Sequence, residues 1–108
     1  MFEIYQSEKT NKYHFRLKAA NGEIILSGQA YADKGGCANG VESVRKNGGD
    51  TSKFEVRDSN DGKQYFVLKS GNGQIIGQSQ MYKSDSGLKN GIASVGKHCS
   101  GDCKDLTA

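Results

Sequence analysis

The chain repeats itself, and this constrains its fold more than any local pattern does. The stretch "FEIYQSEKTNKYHFRLKAANGEIILSGQAYADKGGCANGVESVRKNG" aligns with "FEVRDSNDGKQYFVLKSGNGQIIGQSQMYKSDSGLKNGIASVGKHC". Phe2-Glu3-Ile4 meets Phe54-Glu55-Val56, and after a one-residue deletion in a turn Leu17-Lys18 meets Leu68-Lys69. Asn21-Gly22 meets Asn72-Gly73, Tyr31 meets Tyr82, and Asn39-Gly40 meets Asn90-Gly91. A sustained internal match of this kind means that one structural unit occurs twice. The repeats cover about residues 2–50 and 54–108 of the 108-residue chain. A lone unit of roughly fifty residues buries too little surface to be robust, so the two should share one core as a single pseudo-two-fold domain over 1–108.

Each repeat reads as strand, strand, strand, helix. Phe2–Tyr5 and Tyr13–Lys18 alternate apolar and polar residues, as half-buried strands do, and "AANGE" supplies a hairpin turn before "IIL" opens a third strand. Phe54–Arg57, Gln64–Lys69 and Gln74–Gly77 repeat the pattern. The period then changes. Cys37, Val41 and Val44, like Leu88, Ile92 and Val95, stand at i, i+4 and i+7, the spacing of one helix face. Asp33 and Ser84 suit the N-caps, and Gly48 suits the residue after the first helix. "TSKFEV" can serve as the last strand of repeat one and the first of repeat two, and "CKDLTA" as the matching last strand of repeat two. The expected class is α+β: two β-β-β-α-β units forming one antiparallel sheet, with both helices on one face. The Asn-Gly pairs inside the helices stand out, because an interior glycine costs about 1 kcal/mol relative to alanine. Gly40 and Gly91 fall on the apolar faces, so they read as notches that allow close helix–sheet contact.

The pairing of "LKAANGEIIL" with "NGVESVRKN", and of "LKSGNGQIIG" with "NGIASVGK", resembles the YegP-like family of small bacterial proteins, a domain of unknown function. The resemblance implies a three-strand, helix, strand unit that occurs singly or in tandem, two units making one sheet by exchanging their last strands. It places "CKDLTA" with repeat one, near the first strand. It brings no activity, substrate or catalytic residue. It also implies a monomer, since single units should pair to complete the sheet whereas a tandem chain completes it alone.

Composition narrows the function classes. Hydrophobic residues make up 34% of the chain and mean hydropathy is −0.70, so the core should be thin: one sheet and one layer of helix. The net charge of +3 is too small to argue nucleic-acid binding by itself. No apolar run approaches the roughly 18–20 residues of a membrane span. "MFEIYQSEKT" has no basic segment leading into an apolar one, so a cytoplasmic location is the expectation. Three cysteines, odd in number and unevenly spaced, do not make a disulfide framework and read as reduced thiols.

Three sets of residues are candidates for a site. Asn39, Ser43 and Lys46 form a polar stripe on the first helix that Asn90, Ser94 and Lys97 repeat identically, while neighbouring exposed positions differ. It reads as a binding face, or as a solvated face inherited by duplication. Tyr5, His14, Arg16, Lys18, Arg57, Tyr65 and Lys69 alternate onto the sheet face away from the helices. Basic and aromatic residues interleaved in this way could stack bases and meet phosphates, although an exposed antiparallel sheet carries such residues anyway. His98, Cys99 and Cys103 are soft ligands close in sequence, but a zinc site wants a fourth ligand and none is evident. No catalytic motif, cofactor signature or paired carboxylate is present. The reading is a non-enzymatic binding or accessory module without a cofactor. Single-stranded nucleic-acid binding on the open sheet is the first alternative, and metal or thiol chemistry at the C-terminal cysteines the second.

Overall fold

The alternation read from the sequence becomes two hairpin-linked meanders. Strands β1 (Phe2–Gln6), β2 (Tyr13–Lys18) and β3 (Ile24–Gly28) form the first, and β4 (Phe54–Asp58), β5 (Gln64–Lys69) and β6 (Ile75–Gln78) the second. The computed structural model describes residues 1–107. The β2–β3 and β5–β6 turns place Gly22 and Gly73 at φ 84° and 85°, a left-handed conformation that suits glycine. Matching irregularities follow Leu17 and Leu68. Helices α1 (Lys34–Asn47) and α2 (Asp85–His98) start on Asp33 and Ser84, whose side chains accept from the Gly36 and Gly87 N–H groups.

The strands form one seven-stranded sheet in the order β4-β5-β6-β3-β2-β1-β7, where β7 is Cys103–Asp105. The repeats join where β3 meets β6, with Ser27 opposite Gln78. These are equivalent positions, so the pseudo-two-fold axis passes beside them. The α+β class and the tandem units stand as expected, with two corrections. The sheet is mixed, because β7 runs parallel to β1. Consecutive strands linked by tight turns must run antiparallel, but β7 is reached through a 14-residue helix and no hairpin dictates its direction. The strand exchange is also one-sided. β7 lies with repeat one as the resemblance implies, whereas residues Thr51–Lys53 form a 3₁₀ turn leading straight into β4. Asp50 caps that turn through the Ser52 N–H, and this local bond wins over extension.

Phe2, Phe15, Leu17, Leu26, Phe66 and Leu68 of the sheet are fully buried against Cys37, Val44 and Val95 of the helices. Each mid-helix glycine receives a tyrosine ring. A Cβ on Gly40 would lie 2.8 Å from Tyr31 Cζ and 2.9 Å from Phe15 Cε2, and one on Gly91 would lie 2.7 Å from Tyr82 Cζ. Tyr31 stacks on Phe15 and Tyr82 on Phe66, at centroid distances of 6.2 and 6.1 Å. The notch expected from the sequence therefore exists, and a tyrosine fills it. Gly48 caps α1 in a right-handed conformation, not the left-handed one usual for a terminal glycine. Its reason is space, since a Cβ there would sit 2.7 Å from Cys99 Cβ.

Candidate binding clefts between the repeats

Both helices lie across the β3–β6 junction, so α1 touches β5 and β6 while α2 touches β2 and β3. Each polar stripe is thereby brought against the Asn-Gly hairpin of the other repeat. Ser43 and Lys46 of α1 face Ser70, Gly71 and Asn72 across a cleft of about 480 Å³, bordered by Asn47, Asp50 and Lys53. Asn90 and Ser94 of α2 face Ala19, Asn21 and Glu23 across a cleft of about 270 Å³. Asn39 and Lys97 line neither cleft, so only part of each stripe converges on a site.

The two clefts carry different charge. Among the described residues, the α1 cleft presents Lys46 and Lys53, neither in an ion pair, together with Asp50. The α2 cleft presents Glu23 and no cation. Hydrogen bonds from the Ser52 hydroxyl and N–H hold the Asp50 carboxyl below its usual range, so it keeps its charge at neutral pH. Asn47 is the last residue of α1 and precedes Gly48. In the structure it is buried and donates to the Ser43 carbonyl at 2.8 Å, which fixes the cleft wall. His98 stands in the same place in repeat two, 2.8 Å from the Ser94 carbonyl.

The open sheet face is largely self-neutralised. Glu3 takes Arg16 at 2.8 Å and Lys18 at 3.1 Å, and Glu55 takes Arg57 together with Lys69 at 3.1 Å. These partners hold both carboxyls below their usual range, Arg16 and Arg57 contributing most. Tyr5 stacks on His14 with centroids 5.4 Å apart and lies under the Arg16 guanidinium at 4.7 Å, so its ring is already engaged. Val67, which alternates onto the same face as Tyr65 and Lys69, is buried at 1% exposure, and Tyr65 is half-buried.

The C-terminal ligand candidates do not converge. His98 bonds its own helix, and Cys99 is buried in the core and donates to the Gly96 carbonyl. Cys103 lies exposed on β7. No group of three His, Cys, Asp or Glu side chains among the described residues could hold a metal ion. Burial, reinforced by Cys103 and Asp105, pushes the Cys37 thiol up to about 11, and burial raises Cys103 as well. Neither is a ready thiolate at neutral pH.

Strand β7 pairs with β1 through backbone hydrogen bonds, and an ion pair adds to that hold. The Thr107 hydroxyl and N–H donate to Asp105 at 2.6 and 2.8 Å, and Lys34 lies 3.1 Å away, which holds the Asp105 carboxyl at about 2. Because the folded value lies below the ordinary 3.8, the stabilisation is complete above that value and is lost as pH falls through about 2. The Leu106 amide, which donates to Ile4, should therefore lose hydrogen-exchange protection in this window before the β1–β2 amides do. Asp105→Asn should remove that acid step. Unchanged acid behaviour in this variant would assign the hold on β7 to backbone pairing and packing.

Fold and clefts together define a tandem-repeat α+β protein with two inter-repeat clefts. The profile of a domain of unknown function, DUF1508, matches residues 8–55 and again 59–103, and the chain belongs to that family. It is 49% identical over 107 residues to the UPF0339 protein YegP of Yersinia pestis, covering 98% of this chain and 95% of that one. It is 48% identical to the UPF0339 protein from the 5′ region of the ptx operon of Stutzerimonas stutzeri, covering 90% and 86%. Two solution NMR structures share the fold at TM-score 0.90 and 40% identity: a UPF0339 protein of Shewanella oneidensis and the E. coli protein of unknown function yegP. The alignments cover 97% of this chain and 89% and 90% of those chains. No helix among the described residues is long and apolar enough to cross a membrane.

Proposed function

We propose that the protein is a non-enzymatic binding module that takes an anionic group in the cleft between α1 and the β5–β6 turn. One observation carries this reading: residues that both repeats keep, Asn21 and Asn72 of the hairpins and Ser94 and Ser43 of the helix stripes, meet from opposite repeats across the clefts. Lys46 and Lys53, with Ser43, Ser70 and Asn72, give this cleft several hydrogen-bonding groups and two cations against the one carboxylate of Asp50, which already accepts from Ser52. That set suits a phosphate or carboxylate. Three unpaired thiols support a reducing, cytoplasmic setting, and the pairing of β3 with β6 and of β7 with β1 within one chain supports a monomer, with only the β4 edge left unpaired among the described residues. The open sheet supports nucleic-acid binding less well, since its cations already serve Glu3 and Glu55.

Titration with inorganic phosphate up to tens of millimolar, followed by amide NMR, tests the reading. Saturable shifts are expected at Ser43, Asn47, Lys53 and Gly71, and Lys46→Ala or Lys53→Ala should each weaken binding about three- to tenfold. Unsaturated, non-local shifts would refute the anion site. A single-stranded oligonucleotide that instead moves Tyr5, His14 and Tyr65 in a salt-dependent way would favour the open face.

A further inference from the structure

The two ends of the sheet are not equivalent. At one end β7 covers β1, and Phe2, Ile4 and Val41 there are 0%, 5% and 2% exposed. At the other end β4 is outermost, and among the described residues no strand pairs with its outer edge. β1 and β4 keep one register against their hairpin partners, with Ile4 opposite Phe15 and Val56 opposite Phe66. The Ile4 carbonyl accepts from the Leu106 N–H at 2.8 Å, so Val56 turns the equivalent carbonyl to the open edge. Val56 is 46% exposed. With Phe54, Ile92 and Ala93 it lines an apolar groove of about 420 Å³.

The differences between the repeats follow from what covers each end. Arg45 lies over the Phe2 ring and donates to the Gly101 carbonyl, closing the β7 side, whereas the equivalent residue in repeat two is Gly96. Glu42 becomes Ala93, which makes the second groove more apolar. Lys34, which pairs with Asp105 of β7, becomes Asp85. A strand laid on β4 as β7 lies on β1 would bring the residue at the Asp105 place to Asp85. The chain's own C-terminal strand would meet like charge there, which disfavours a second copy as the occupant.

We propose that the β4 edge receives an extended segment of a partner protein, added parallel to β4, with an apolar side chain at the place of Cys103 and a basic one at the place of Asp105. Backbone bonds to an exposed edge supply the grip, and alternate side chains in the groove and at Asp85 supply the choice. Lys89 stands on the groove rim one turn after Asp85, so the basic residue is accepted only at the Asp85 end.

Two peptides test this against the full chain. One is the segment Gly101–Leu106 carrying Cys103→Val, and the other carries Asp105→Lys in addition. The lysine peptide is expected to shift the amides of Phe54–Asp58 and to bind about two- to fivefold more tightly than the aspartate peptide, the size of a partly exposed ion pair. Asp85→Lys should reverse the order. The proposal fails if neither peptide moves the β4 amides, or if the preference survives Asp85→Lys. It also fails if sedimentation shows self-association that Val56→Glu abolishes, which would give the edge to a second copy.

Discussion

Gly40→Ala is expected to destabilise the protein by about 1–3 kcal/mol, the usual cost of forcing extra volume into a packed core. Helix propensity argues the other way, since alanine exceeds glycine by about 1 kcal/mol in a helix interior. Geometry decides the sign. The added methyl would meet Tyr31 Cζ at 2.8 Å and Phe15 Cε2 at 2.9 Å, and Phe15 is fully buried and cannot withdraw. Gly91→Ala should behave alike, because Tyr82 and Phe66 occupy the same places. Urea denaturation measures the effect, and a double-mutant cycle assigns its cause. In a Tyr31→Ala background the part of the cost that comes from Tyr31 should vanish, while the contact with Phe15 remains. An equal cost in both backgrounds would refute the notch.

The second large effect sits at the pseudo-two-fold axis. Leu26 and Gly77 are equivalent positions, and the Leu26 side chain occupies the space a Cβ on Gly77 would need, at 2.8 Å. One leucine serves both repeats, which a symmetric pair of identical units could not arrange. Leu26→Gly should cost at least the roughly 2–5 kcal/mol of a buried leucine truncation, and Gly77→Leu should overpack the junction. Combining the two moves the single leucine across the axis and should recover most of the loss. If the double variant is as unstable as the sum of the singles, the junction is not pseudo-symmetric in packing.

The legible part of this fold came from seeing each pattern twice. Tyr13–Lys18 and Gln64–Lys69 are strands at the very residues where alternation begins and ends, and the period of Cys37, Val41 and Val44 marks the buried face of α1. In "TSKFEV" only Phe54 and Val56 alternate with a polar residue, so the strand begins at Phe54 and the Asp50–Ser52 bond curls residues 51–53. The partner of Gly40 was hidden because Tyr31 lies before the helix and outside its period. Of the candidate site, the stripe was visible but its opposing wall was not. Ser43 and Lys46 face Ser70 to Asn72 only because α1 crosses into the other repeat.

Local and repeated features were therefore determined by the sequence alone: the duplication, six of the strands, both helices with their N-caps, and the need for close contact at the mid-helix glycines. Each depends on side-chain period or turn chemistry within a few residues. The tertiary structure alone decided the parallel placement of β7, the uncovered β4 edge, the leucine shared across the axis, and the meeting of hairpin and helix stripe in the clefts. Those depend on which surfaces lie together once the apolar faces are buried, and a duplicated sequence does not distinguish contact within a repeat from contact between repeats.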